Sequence, residues 1–99
     1  MADARRVLDG DNVWVEFRNS GYPFKLQRLL KEAREEGVLL DLIVPYIQSC
    51  HLPMTNGEAL DHITVSDDLA EVDEQTVAQL IKEFYAFRSE RMYGPLSKN

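Results

Sequence analysis

Cysteine occurs once and histidine twice in 99 residues. A lone thiol cannot staple the fold internally, and one cysteine with two histidines falls short of the four protein ligands of a structural zinc site. No Gly-rich phosphate loop, nucleophile elbow or metalloprotease helix is present, so no recognised catalytic signature supports an enzyme, and neither cofactor nor metal is expected. No apolar run approaches bilayer length, which excludes a spanning helix. The opening "MADARRVLDGD" lacks the apolar core of a secretory signal, so residence in the cytoplasm is the expectation. Between Glu35 and Ile81 there is no Lys or Arg at all. A stretch so free of cations repels phosphate backbones and argues against direct nucleic-acid binding.

What is present describes an ordinary folded domain. The chain is 44% hydrophobic and 28% charged, with a net charge of −6. Residues 1–93 are expected to form one globular domain and 94–99 a flexible tail. In "VWVEF", Val13, Val15 and Phe17 alternate with Trp14 and Glu16, which is strand period. "DGDN" before it is turn chemistry, so Arg5–Leu8 and Asn12–Arg18 read as a β-hairpin. Asp9 and Asp11 faintly resemble the start of a calcium loop, but Val13 and Ser20 stand where oxygen ligands are needed.

Helix punctuation follows. Asn19 or Ser20 can cap, Pro23 suits a first turn, and Leu26, Leu29, Leu30 and Ala33 share a face that Gly37 would end. "VLLDLIVPYIQSC" is apolar nearly all round and reads as a buried helix kinked at Pro45. Asn56-Gly57 marks a small hairpin within a turn-rich excursion. Ser66 would cap a short helix in "DDLAEV", and Asp73 would cap a final helix with stripe Val77, Leu80, Ile81 and Phe84, ending near Gly94-Pro95. The fold class is α+β and mainly helical: an N-terminal hairpin packed on three to four helices.

Three sets of residues could carry function. Cys50 and His51 are adjacent, with His62 beyond; consecutive side chains generally point apart, so Cys50 reads as a packed small hydrophobe. Asp67, Asp68, Glu71, Asp73 and Glu74 form an acidic run, read either as caps and solvated surface or as a face for a basic partner. Tyr85, Phe87 and Tyr93, with Arg88, Arg91 and Met92, have the composition of a contact surface. Phe87 and Tyr85 could equally pack on the hairpin. Trp14 shares that ambiguity, because it points away from Val13, Val15 and Phe17.

In order, "NVWVEFRNSG", a mixed-charge helix, "LLDLIVPYIQSCHLP", "NGEAL", "DDLAEVD" and "EQTVAQLIKEFYAF" resemble, over roughly residues 10 to 92, small tailed-phage morphogenesis proteins grouped with tail-assembly chaperones. The resemblance lies in the arrangement of segments, and no functional residue transfers with it. It implies a non-enzymatic role in the host cytoplasm, keeping a tail-tube or tape-measure subunit soluble. The alternative is a small acidic inhibitor that blocks the basic cleft of a nucleic-acid-binding host enzyme. Both make the partner another protein, with no membrane involved. A homodimer is compatible with so small a core.

Overall fold

The computed structural model describes residues 5–9 and 12–93, the side chain of Tyr93 excepted. The middle of the "DGDN" turn and the expected tail at 94–99 lie outside the described residues. Nine elements follow in order: β1 (Arg5–Asp9), β2 (Val13–Phe17), α1 (Lys25–Glu32), α2 (Glu36–Ile43), a 3-10 turn (Val44–Tyr46), β3 (Ile47–Pro53), β4 (Ala59–Leu60), a second 3-10 turn (Ser66–Leu69) and α3 (Glu74–Tyr93). The α+β class holds, and the hairpin packs on helices as its alternation requires.

The four strands form one antiparallel sheet in the order β1-β2-β3-β4. Directly opposed pairs share a face. Arg6 opposes Val15, and Val15 opposes Cys50, so these side chains turn inward with Phe17 and Leu52. Trp14 opposes Val7 on one side and His51 on the other, on the outer face. Arg6 is the unusual inward residue. Its guanidinium donates to Glu83 at 3.0 Å and, through both terminal nitrogens, to Glu90 at 2.9 Å. This fork ties β1 to α3, and the Glu90 hydrogen bonds raise the arginine pKa further against the opposing pull of burial.

The core lies between the sheet and the helices. Phe17, Phe84 and Phe87 are fully buried with Ile43, Leu52 and Leu80. The Phe17 ring meets Phe84 edge-on with centroids 5.3 Å apart, and Tyr22 stacks on Tyr46 at 4.6 Å.

The kinked helix expected over 38–50 is not formed. The helix stops at Ile43, Pro45 occupies the 3-10 turn, and Ile47–Pro53 is a strand. Pro45 has no N–H with which to continue the helix. Strand β2 would otherwise leave its second edge unpaired, and the residues from Ile47 to His51 satisfy it. A short apolar run does not reveal by its periodicity whether it is a buried helix or a buried strand. This strand fuses the two hairpins into a single sheet.

Two further corrections concern helix ends. Gly37 lies in the first turn of α2 and does not end α1, which stops at Ala33 when the backbone becomes extended. Arg34 folds back and donates to the Lys31 carbonyl at 2.6 Å, satisfying an end group of α1 without a glycine. No side chain caps the start of α1; Gly21, at φ +89°, turns the chain between Asn19-Ser20 and the helix. The Asn56-Gly57 hairpin forms as expected: Gly57 has φ +93°, and Met54 N–H donates to the Glu58 carbonyl at 2.8 Å.

Candidate docking surface

The thiol–imidazole pair separates once Cys50 and His51 are placed on a strand. Cys50 points into the core, and burial pushes its thiol up to about 11. Its Sγ lies 3.5 Å from the Leu60 carbonyl. His51 points outward, and its Nδ1 lies 2.7 Å from an Asp61 carboxylate oxygen. His62 is exposed. Among the described residues no group of three or more His, Cys, Asp or Glu is arranged to hold a metal.

The acidic run divides by role. Asp68 accepts from Thr64 N–H at 2.9 Å, Val65 N–H at 3.2 Å and the Thr64 hydroxyl at 3.1 Å. These bonds, the Thr64 backbone one foremost, hold its carboxyl below the usual aspartate range. Asp68 thus organises the second 3-10 turn, the part expected of Ser66, whose hydroxyl donates instead to Asp41. Asp73 accepts from Gln75 N–H at 2.9 Å and caps α3 as expected. Glu71 accepts from the Thr55 hydroxyl at 3.2 Å. Asp67 and Glu74 remain, and they line a shallow groove of about 310 Å³ with Glu36 from α2.

The aromatic set also divides. Phe87 is fully buried, so it cannot be a surface contact. It follows Leu80 and Phe84 at helical spacing, with its ring 5.5 Å from that of Phe17, so it packs on the hairpin. Arg91 lies over the Tyr22 ring, 4.4 Å from its centroid, and donates to the Asn19 carbonyl at 2.8 Å, so it clasps the loop before α1. Trp14 stands on the outer sheet face with the Arg5 guanidinium 3.8 Å above its ring. Tyr93 closes α3, and its side chain lies outside the described residues.

Tyr85 and Arg88 do come together, in a groove of about 390 Å³ between α1 and α3. Its walls are Gln27, Leu30 and Lys31 from α1 and Tyr85, Arg88, Ser89 and Met92 from α3. Gln27 Nε2 reaches Met92 Sδ at 3.9 Å, joining the two helices. A second hollow adjoins it, sharing Gln27, Arg88 and Met92 and adding Phe24. Phe24 is 85% exposed, Met92 44% and Tyr85 38%. Leaving a phenylalanine that far in solvent forgoes about 1.5–3 kcal/mol of burial.

Cations rim this apolar surface: Lys25, Arg28 and Lys31 on α1 and Arg88 on α3. Among the described residues, none of the four has a carboxylate within ion-pair distance.

Sequence reading missed the α1 wall. Phe24 falls outside the stripe of Leu26, Leu29 and Leu30, and a large aromatic out of phase with its own helix was the available signal. The chain matches no family model, no curated protein and no solved structure.

Proposed function

We propose that this chain is a non-enzymatic protein-binding module whose working surface is the α1–α3 groove. One observation carries the reading. In a protein of net charge −6, exposed Phe24, Tyr85 and Met92 line two adjoining hollows rimmed by cations that have no carboxylate partner among the described residues. Apolar side chains rimmed by charge are what a partner's buried residues require. In the setting implied by the resemblance to tail-assembly chaperones, the partner is a tail-tube or tape-measure subunit that must stay soluble before assembly. The acidic remainder of the molecule would keep such a complex dispersed.

The test is co-expression with each of those subunits, followed by measurement of the soluble fraction. The natural chain should raise it, and a chain carrying Phe24→Ser, Tyr85→Ser and Met92→Ser should not. Equal solubility with both chains, in every pairing, would remove the reading.

A second reading has its own observation. Glu36, Asp67 and Glu74 line one groove in a region without a single Lys or Arg, which suits a basic cleft on a host enzyme. Asp67→Lys with Glu74→Lys should then abolish inhibition, and leave the solubilising activity of the first reading intact.

A further inference from the structure

We infer that the α1–α3 groove takes an amphipathic helix of the partner protein, one whose apolar stripe is flanked by acidic residues. The inference rests on the proposed binding role and names the chemistry of the occupant.

The occupant's backbone follows from the walls. Both walls are helices, and a helix pairs its own N–H and C=O groups except at its ends. A groove so built offers side chains and few free backbone groups. An extended segment laid there would leave its own backbone polar groups unpaired on being covered. A third helix brings its backbone already satisfied and can pack against α1 and α3 side by side.

The side chains follow from the floor and the rim. Leu30, Tyr85 and Met92 offer an apolar floor, so the incoming helix needs apolar residues at i, i+3 or i+4, and i+7. Phe24, largely uncovered at the mouth, would close over the end of that stripe. Lys31 stands on one wall and Arg88 on the other, with Arg28 and Lys25 further along α1. Because none has a carboxylate partner among the described residues, Glu or Asp on both flanks of the stripe would meet cations with no existing pair to break. A basic helix would meet like charge on both walls. A nucleic acid would gain nothing from the apolar floor, and the long acidic segment would repel it.

The probes are three synthetic helical peptides with one apolar stripe and Glu, Gln or Lys on the flanks. Binding to the full chain is followed by fluorescence anisotropy at low and high salt. The Glu peptide should bind about tenfold or more tighter than the Gln peptide and lose that advantage in high salt. The Lys peptide should bind weakest. In Arg28→Glu with Lys31→Glu the order should reverse, so that the Lys peptide binds best. Phe24→Ser should weaken all three. These residues are exposed, and circular dichroism before titration confirms that each variant is folded. Equal binding of the Glu and Gln peptides would overturn the acidic preference while leaving the groove as a binding site. Binding of none of them would overturn the inference, while the solubility of co-expressed tail subunits judges the wider reading separately. Tighter binding of a single-stranded oligonucleotide or an anionic vesicle would also overturn it, as would occupation of the groove by a second copy of the chain.

Discussion

The two ends of α3 carry opposite charge and use it differently. At the N-terminal end, Asp73 caps the helix and Asp68 gathers three hydrogen bonds, so much of the acidic run is engaged in holding its own loop. Its position also suits the positive pole of the helix, as Arg91 suits the negative pole about 30 Å away. At the C-terminal end the neighbouring cations of α1 hold no loop together in this way. Lys31 suits the negative pole of α1, but Lys25 and Arg28 do not, and none of the three has a carboxylate partner among the described residues; all three stand beside an exposed phenylalanine. Charge that organises the fold needs no partner to account for it. Charge that organises nothing beside apolar surface is better accounted for by one.

The sharpest way to break this contrast is to exchange aromatics between core and groove. Phe84→Ala or Phe87→Ala should lower stability by ~3–5 kcal/mol, because both rings are fully buried against the sheet. Phe24→Ser should shift the urea midpoint by less than about 0.5 kcal/mol in free energy, since the ring is largely in solvent. A large loss from Phe24→Ser would mean that the groove is part of the core.

Next in size is the fork between β1 and α3. Arg6→Ala leaves Glu90 without its guanidinium donors and Glu83 with Gln79 as donor, in a half-buried site, and should cost about 1–3 kcal/mol. Arg28→Ala, a groove cation, should cost almost nothing in the same assay.

Acid should separate the two classes of charge as well. The Thr64 and Val65 hydrogen bonds hold Asp68 below the usual range, and Arg6 does the same for Glu90. A carboxyl with a depressed folded pKa contributes stability above its unfolded pKa and loses it as pH falls through the folded value. Stability should therefore decline on acidification below the ordinary carboxylate range. Asp68→Asn should flatten part of that decline.

A change of opposite sign is expected at Tyr22. Its hydroxyl is buried with no hydrogen-bond partner among the described residues, and burial pushes it up to about 12. Tyr22→Phe should be neutral or stabilising by up to ~1 kcal/mol, because it removes an unsatisfied polar atom and keeps the ring on Tyr46.

Legibility in the sequence followed how local the cause was. The Val13–Phe17 alternation, the Asn56-Gly57 turn and the Asp73 cap each act within a few residues, and each was readable. Strand β3 was not, because the edge of β2 that recruits it lies some thirty residues earlier in the chain. Phe87 stayed open between core and contact surface, because its burial depends on the hairpin that packs against α3. The surface half of the groove was partly readable, since Tyr85 and Arg88 stood out by composition. Phe24, Lys25 and Lys31 acquire meaning only when α1 is laid beside α3, which no spacing in the chain announces.

The most direct measurement is the map of amide chemical-shift changes when the Glu-flanked helical peptide or a solubilised tail subunit is added. The account expects the changes to cluster at Phe24, Gln27, Lys31, Tyr85 and Ser89. Changes centred instead on Ser66 to Glu74 would contradict it and move the contact to the acidic end.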